Sequence, residues 1–513
     1  MTLLSSVAAV DETPVDRYLQ LQADLTAVER FSQHHDADAA PLQARYYRDL
    51  LPLNRPEPGQ QYAFAVDLDA CTGCKACVAA CHSLNGLDDG ESWRSVTLLT
   101  GSTAVGPFQQ TVTSACHHCV DPACLNGCPV DAYEKDPITG IVSHLDDQCI
   151  GCSYCTLTCP YEVPVYNKSR GIVRKCDMCQ GRLAAGEAPA CVQACPNEAI
   201  SIEVVDVAAV TAAAENGSLV AGTPPSSITT PTTIYRSARD LGPLTTRTRT
   251  PATTHTPLAV MLVLTQLAVG TFVVNLSWRG FFNSSMQPFD AGLAAAAGVV
   301  ALGASVLHLG RPRYCYRAVI GLRHSWLSRE VVAFGAFTGL AVPYANAIWL
   351  DWPIDGRPVD VLGLAVAVSG AAGLACSVMI YATTHRRSWR ATTVAWKFAL
   401  TTVICGLATV LWASTLLSRP FGRWALLALA ALMAVKLLAE TLHSFEMQRS
   451  ATARLAAGLV GGVFLPLVLA CTTFVNGHTS WPGAAGVTLA LLLIVGGELL
   501  ERSLFFTTAS PPK

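Results

Sequence analysis

The sequence predicts two structural parts in one chain: an α+β domain folded around cysteine-bound clusters, then an all-α transmembrane bundle of eight helices. Three observations lead there. Of 20 cysteines in 513 residues, sixteen crowd between Cys71 and Cys195. The other four, Cys315, Cys376, Cys405 and Cys471, are scattered through apolar runs. Hydrophobic residues make up 51% of the chain against 14% charged, a membrane-like average that hides a polar first half and an aliphatic second half. The length itself asks for more than one domain. A net charge of −2 points to no particular partner, and no basic stripe suited to nucleic acid is present, so nucleic acid is excluded as a partner.

Residues 1–58 are polar, with Leu19, Leu21, Leu25, Val28 and Phe31 at roughly helical spacing. They read as a surface helix plus an arm lying on the next domain, with a regulatory or partner-docking arm as the alternative. The first 30 residues hold no apolar core flanked by basic residues, and no Arg-Arg pair opens the chain. No secretory or twin-arginine leader is therefore expected. Residues 59–206 form the cysteine domain, and 207–256, rich in Thr, Pro, Ser and Ala, read as an extended linker hugging its surface. Residues 257–506 carry eight aliphatic spans near the ~20 residues a bilayer requires. They run about 257–276, 289–309, 329–350, 361–381, 397–417, 422–443, 454–475 and 484–505, before a tail at 507–513. Lys436 and Glu440, four apart, could pair inside the bundle. Gly458 and Gly462 have the small-xxx-small spacing of close helix packing. Glu498 and Arg502 are spaced for an ion pair on one helix.

The cysteines fall in four runs. Cys71, Cys74, Cys77 and Cys81 are spaced C-x2-C-x2-C-x3-C. Cys116, Cys119, Cys124 and Cys128 have four residues between the second and third Cys. Cys149, Cys152, Cys155 and Cys159 repeat the first spacing, and Cys176, Cys179, Cys191 and Cys195 complete the set. A C-x2-C-x2-C loop wraps three iron corners of a cubane while its amides point at sulfur. The fourth Cys, expected at a helix start, reaches the other cluster of a pair, so the runs must act in pairs. Structural zinc would use two separated ligand pairs, and disulfides would need an exported, loop-rich chain. Neither fits four triplets each with a trailing Cys. Pro129, Pro160 and Pro196 each follow a last Cys, a ferredoxin habit. Asp136-Pro137-Ile138-Thr139-Gly140 reads as a hairpin turn of a small ferredoxin repeat. The first part is thus an α+β ferredoxin-like four-cluster domain.

These runs, with Lys175-Cys176-Asp177-Met178-Cys179 opening the last, resemble the iron–sulfur subunit of the dimethyl sulfoxide reductase family over about residues 60–240. The resemblance implies that run one pairs with run four and run two with run three. The ligand sets would be Cys71, Cys74, Cys77 with Cys195; Cys176, Cys179, Cys191 with Cys81; Cys116, Cys119, Cys124 with Cys159; and Cys149, Cys152, Cys155 with Cys128. Nitrate reductase relatives replace one Cys by Trp and hold a [3Fe–4S] centre. All sixteen positions are Cys here, so four [4Fe–4S] clusters are implied. In the second half, His308-Leu309-Gly310-Arg311-Pro312 followed by Leu327-Ser328-Arg329-Glu330 resembles the H-L-G-x-P and L-S-x-E stretches of the same family's anchor subunit. Gly497-Glu498-Leu499-Leu500-Glu501-Arg502 resembles its closing motif. The resemblance spans about 257–506, and two normally separate subunits are fused. It implies a menaquinol or ubiquinol site at His308 and Glu330, with Arg311 beside them.

The chemistry agrees on independent grounds. Quinol oxidation sheds two protons and two electrons, and a His and a carboxylate at one membrane face can accept the protons. The alternatives are a helix-end capping role for His308 and an Arg partner for Glu330, with the Arg cluster serving anchoring and docking. Arg residues gather before span one, after span two and after span four. Positive-inside logic then puts the termini and iron–sulfur domain on the cytoplasmic side of the inner membrane. The expected function is to oxidise membrane quinol and pass electrons through the clusters to a separate molybdopterin-containing catalytic subunit. No residue group in the chain is suited to bind a molybdopterin. A quinone-reducing module of a dehydrogenase, such as a formate dehydrogenase or hydrogenase, is the alternative. A transporter using clusters as sensors fits poorly with so few charges in the spans.

Overall fold

The computed structural model describes residues 47–508 except 104–105, 221–222, 240–244, 247–255, 283–287, 351–356, 420, 444–448 and 473–480, together with a few positions between 13 and 18. The helical spacing of Leu19 to Phe31 lies outside the described residues. The iron–sulfur domain holds β1 (Gln60–Asp67), α1 (Ala76–Leu84), β2 (Ser95–Thr103), β3 (Gly106–Ser114), α2 (Ala123–Gly127), β4 (Tyr133–Lys135) and β5 (Val142–His144). It continues with α3 (Tyr154–Thr158), β6 (Val165–Asn167), β7 (Ile172–Arg174), α4 (Gln180–Ala184), α5 (Ala190–Gln193) and β8 (Ile200–Asp206). α6 (Val207–Ala214), β9 (Ile234–Arg236) and β10 (Thr245–Thr246) follow.

Strand pairing decides which cysteine runs meet. β1 pairs antiparallel with β8, with Val66 opposite Ile200. Val66 stands five residues before Cys71, and Ile200 stands five after Cys195. Runs one and four therefore leave one end of a two-stranded ladder side by side. β4 pairs antiparallel with β5, with Tyr133 opposite His144. Those positions are five after Cys128 and five before Cys149, so runs two and three are joined by the same device. The hairpin lies where the Asp136–Gly140 turn was expected: the Asp136 carboxylate accepts from the amides of Ile138 at 2.9 Å and Thr139 at 2.7 Å.

Within 207–256 the described stretches 207–220 and 223–239 are more ordered than an extended surface linker. Val207–Ala214 is a helix capped by Asp206, whose carboxylate accepts from the Ala209 amide at 2.8 Å. β9 adds to β1 in parallel, Ala65 opposite Ile234. Thr229, Thr232 and Thr233 are buried, and Thr233 Oγ1 meets His117 Nδ1 at 2.8 Å. Threonine suits this place because its β-branch packs in a sheet while its hydroxyl satisfies buried loop groups. A Thr-rich composition cannot distinguish that from a solvated strap.

The membrane half holds α7 (Thr256–Phe282), α8 (Pro288–Leu307), α9 (Trp326–Trp349), α10 (Arg357–Ala382), α11 (Ala391–Leu416) and α12 (Arg423–His443). α13 (Arg449–Ala457), a π-helical stretch at Gly458–Phe464, α14 (Leu465–Thr472) and α15 (Trp481–Thr507) complete it. Among the described residues eight helical stretches are long and apolar enough to cross a membrane, α13, the π stretch and α14 together forming one. α7 and α11 are the most buried. They touch at Gly270 and Gly406, where an added Cβ on Gly270 would run into the Thr402 carbonyl. Gly458 and Gly462 also sit in close packing: a Cβ on Gly462 would lie 2.8 Å from Met433 Cε.

Charged side chains join the second set of helices. Glu498 on α15 accepts from Lys436 on α12, from Arg454 Nη2 on α13 at 2.9 Å and from Thr401 Oγ1 on α11 at 2.8 Å. Lys436 also lies 3.8 Å from Glu440, the expected pair, but as one member of a larger group. The expected Glu498–Arg502 pair gives way: Arg502 pairs with Glu501 and donates to Gln266 Oε1 on α7 at 2.9 Å. Both Glu498 oxygens are taken by cations from neighbouring helices, which intrahelical spacing cannot reveal.

Candidate functional site

Each cysteine run is shaped by backbone that turns its amides inward. The second residue after each leading Cys has a left-handed φ: Gly73 at 73°, His118 at 40°, Gly151 at 70° and Met178 at 58°. His118 and Met178 hold this conformation without being glycine, a strain that clusters at functional sites. It turns amides toward sulfur, as in Gly151 N to Cys149 Sγ at 3.4 Å and Met178 N to Cys176 Sγ at 3.4 Å. The third Cys of each run is the second residue of a short helix: Cys77 in α1, Cys124 in α2, Cys155 in α3 and Cys191 in α5. The fourth Cys is not at a helix start as expected. Cys128 and Cys159 are the C-caps of α2 and α3, Cys81 lies within α1, and Cys195 follows α5. The helix comes between third and fourth Cys because its single turn swings the last sulfur away toward the partner run. Beyond the Cys-Pro pairs the chain turns left-handed again at Asp131, Glu162 and Glu198, and the next amide returns to sulfur, Ala132 N to Cys128 Sγ at 3.3 Å and Ala199 N to Cys195 Sγ at 3.3 Å.

The runs come together as two mixed sets around cavities. One cavity is lined by Cys116, Cys119, Cys124 and Cys159, another by Cys128, Cys149, Cys152 and Cys155. In the other half, Cys77, Cys176, Cys191 and Cys195 pack in one cluster, with Cys81 on the same helix as Cys77. All the cysteines are free thiols, and among the described residues no three His, Cys, Asp or Glu converge as a single metal ion would need. Sulfurs ringed around cavities with amides aimed at them fit the larger body of an iron–sulfur cluster. Burial pushes the thiols of Cys81 and Cys152 up to about 12, so iron must supply the compensating charge for them to act as thiolates. Two buried cations lie among these sulfurs: Lys175 opens the fourth run's Lys-Cys-Asp-Met-Cys stretch, and Arg94 lies in no motif. Lys175 Nζ donates to the carbonyls of Val142 and Cys176, the latter at 2.9 Å. Arg94 is 2% exposed on the loop entering β2.

The cavity of Cys128, Cys149, Cys152 and Cys155 faces the membrane half. Gly310 N donates to Gly151 O at 3.3 Å, and Arg311 N donates to Ile150 O at 3.0 Å. Gly321 N donates to Pro129 O at 2.9 Å, and Ser325 Oγ to Gly127 O at 2.7 Å. Glu330, two residues after Ser328 on α9, is buried and accepts from Ser377 on α10. His308 is half-buried just past the end of α8. Leu309 and Val331, their chain neighbours, both pack on the cluster of Cys128, Cys149 and Cys155. Arg311 Nη1 donates to Asp146 O at 2.7 Å, because the H-L-G-x-P turn presents it to the iron–sulfur domain. Arg317 and Arg386 bind Asp147 O and Leu157 O likewise, at 2.7 and 3.3 Å. Tyr154, between two cluster cysteines, reaches into the membrane half, donating to Ile380 O at 2.8 Å. Neither Ser377 nor Tyr154 was marked by sequence, since each is a lone polar residue whose partner lies far along the chain.

Comparison with known proteins agrees with both halves. Residues 108–205 match a 4Fe–4S dicluster domain family, and residues 252–508 match the DMSO reductase anchor subunit family. The B subunit of the anaerobic dimethyl sulfoxide reductase of Haemophilus influenzae is 37% identical over 156 residues, 29% of this chain and 76% of that protein. Its Escherichia coli counterpart is 39% identical over 154 residues, 28% of this chain and 75% of that one. The thiosulfate reductase electron transfer subunit of Salmonella typhi is 39% identical over 150 residues, covering 28% of this chain and 77% of that one. The cysteine half thus aligns with electron-transfer chains and the helical half with an anchor family, so this polypeptide belongs to the dimethyl sulfoxide reductase family, with its electron-transfer and membrane-anchor subunits joined in one chain.

Proposed function

We propose that the chain oxidises membrane quinol beside His308 and Glu330 and delivers the electrons through four [4Fe–4S] clusters to a separate molybdopterin-containing catalytic subunit. The observation that carries this reading is the seam. The start of α9, just ahead of Glu330, bonds to the chain around Cys128, with Ser325 Oγ to Gly127 O at 2.7 Å and Ser328 Oγ to Pro129 O at 3.3 Å. A quinol whose hydroxyls meet Glu330 and His308 would then lie against the cluster held by Cys128, Cys149, Cys152 and Cys155. Bound clusters supply one-electron carriage; the chain supplies the rest. Glu330, oriented by Ser377, and His308 take the two protons, while the apolar wall of Leu309 and Val331 keeps water from the cluster. The further clusters would be held by Cys116, Cys119, Cys124 and Cys159, by Cys81, Cys176, Cys179 and Cys191, and by Cys71, Cys74, Cys77 and Cys195, and would carry electrons one at a time toward the catalytic subunit. Cys74 is exposed at that last position, where a partner can approach.

The arginine distribution supports an inner-membrane location with the iron–sulfur domain in the cytoplasm. The acceptor of the catalytic partner is an S-oxide, N-oxide, nitrate or similar compound. The test is His308→Ala and Glu330→Gln, each expected to abolish quinol oxidation while cluster spectra and iron content stay as in the wild type. Normal quinol oxidation by either variant would refute the site. Reversed flow, with the chain reducing quinone for a dehydrogenase, is favoured by one comparison: the hydrogenase-2 operon protein of Escherichia coli O157:H7 is 36% identical over 173 residues, 29% of this chain and 53% of that one. Redox titration against the quinone couple separates the two directions.

A further inference from the structure

Arg94 is a cation in the interior of the iron–sulfur domain, and the sequence around it carries no sign of this. It is 2% exposed, and among the described residues no carboxylate lies within ion-pair distance of it. Its guanidinium lies 4.6 Å from the centre of the Phe64 ring, on β1. Nη1 donates to Thr113 Oγ1 at 3.2 Å, and Thr113 Oγ1 lies 3.7 Å from Cys77 Sγ. A hydroxyl that accepts from arginine keeps its own proton free, and a thiolate can only accept it. Nε and Nη2 of Arg94 are buried with no hydrogen-bond partner. Phe64, under the guanidinium, packs in one buried cluster with Cys77, Cys176 and Cys191. Those sulfurs belong to two different ligand sets. An unpaired buried charge costs several kcal/mol unless something answers it. A [4Fe–4S] centre with four thiolates is an anion in both of its working states, so two such centres answer it.

We propose that Arg94 sets the potentials of the two clusters in the β1–β8 half, acting on the Cys77-bound cluster through Thr113 and on the Cys176- and Cys191-bound cluster through its free N–H groups. Reduction adds an electron to each cluster. A fixed positive charge and hydrogen bonds to sulfur favour the more negative state, so both raise the potential. Arg94 cannot lose its proton, so this bias is constant across physiological pH. Arg94 is a positioning residue here: it tunes electron transfer without touching quinol.

The inference rests on the four-cluster reading, which iron and sulfide analysis of the wild-type protein tests separately: fewer than four [4Fe–4S] clusters per chain would overturn that reading. The experiment is an EPR-monitored redox titration of the full-length protein in detergent. Arg94→Met is expected to lower the midpoints of both clusters in the β1–β8 half and leave those of the seam half unchanged. Arg94→Lys, which keeps the charge, is expected to restore most of the shift, an outcome that a purely structural role would not produce. Thr113→Val is expected to lower only the Cys77-bound cluster. Unshifted midpoints in Arg94→Met with full iron content would overturn the proposal. If Arg94→Met fails to load iron, Thr113→Val decides: a lowered Cys77-bound midpoint supports the proposal and an unshifted one overturns it.

Discussion

Gly310→Ala offers a clean way to separate the two halves of the molecule. Gly310 stands in the H-L-G-x-P turn beside Gly151 and Gly171 of the iron–sulfur domain, three backbones stacked without side chains between them. A Cβ on Gly310 would overlap the Gly171 carbonyl oxygen and lie 2.6 Å from its carbonyl carbon and 2.7 Å from Tyr166 Oη. Ordinary contact begins at 3.4 Å, so the Gly171 backbone must retreat by well over 0.8 Å. Tyr166 can swing aside, but the β6–β7 hairpin that carries Gly171 cannot move without straining the Gly310–Gly151 and Arg311–Ile150 hydrogen bonds. Overpacking of this kind costs about 1–3 kcal/mol. Spread across the seam, that cost loosens docking and leaves the cysteine loops intact. The assay compares quinol-driven cluster reduction with dithionite-driven reduction by stopped-flow absorbance. Quinol-driven reduction is expected to slow roughly tenfold, the equivalent of about 1.4 kcal/mol, with the dithionite amplitude unchanged. Gly303→Ala, on α8 with nothing within 4 Å of the added carbon, is the control and is expected to behave as wild type. Wild-type quinol kinetics and thermal stability in Gly310→Ala would refute the reasoning that this seam carries the electrons.

Three further outcomes are expected. Glu498→Gln leaves Lys436 and Arg454 buried without their shared carboxylate and should destabilise the bundle by about 3–5 kcal/mol; a thermal melt in detergent that moves by less than a few degrees speaks against the network. Asp136→Ala should lower the iron–sulfur domain's stability by about 1 kcal/mol through the lost turn. Bonds from the Thr139 amide, then the Thr139 hydroxyl and the Ile138 amide, hold the Asp136 carboxyl below its usual value of 3.8, so this contribution is full above pH ~4 and fades as pH falls through the lowered value. Wild type and Asp136→Ala should thus converge in acid denaturation, and a difference that grows below pH 4 would contradict it. Last, under the proposed orientation quinol oxidation and substrate reduction both face the cytoplasm and generate no charge separation, so quinol-driven turnover of the complete complex in proteoliposomes should build no membrane potential; a potential that collapses with an uncoupler would disprove the sidedness.

Local chemistry was legible in the sequence where it depends on spacing. The cysteine loops, the Asp136 hairpin and the apolar spans each follow from neighbours in the chain, and each lies where the pattern puts it. Polar partners remote in sequence were not legible. Glu498 had a residue at helical spacing, Arg502, but bonds across to Lys436 and Arg454, because the bundle brought stronger partners to the same oxygens. Arg311 sat in the expected motif yet faces Asp146, because the turn's direction depends on the domain packed against it. Thr229, Thr232 and Thr233 read as part of a strap by composition, and are interior because β1 leaves an edge for β9.

By itself the sequence determined that this chain carries cysteine loops for iron–sulfur clusters and a membrane anchor, because cluster loops and bilayer spans are set by local spacing and length. Only the tertiary structure decided which set of cysteines meets the anchor, how glycine backbones close that seam, and where Arg94 stands among the sulfurs. Those features depend on strands and helices far apart in the chain arriving within a few ångströms of each other, and no single stretch of sequence holds that information.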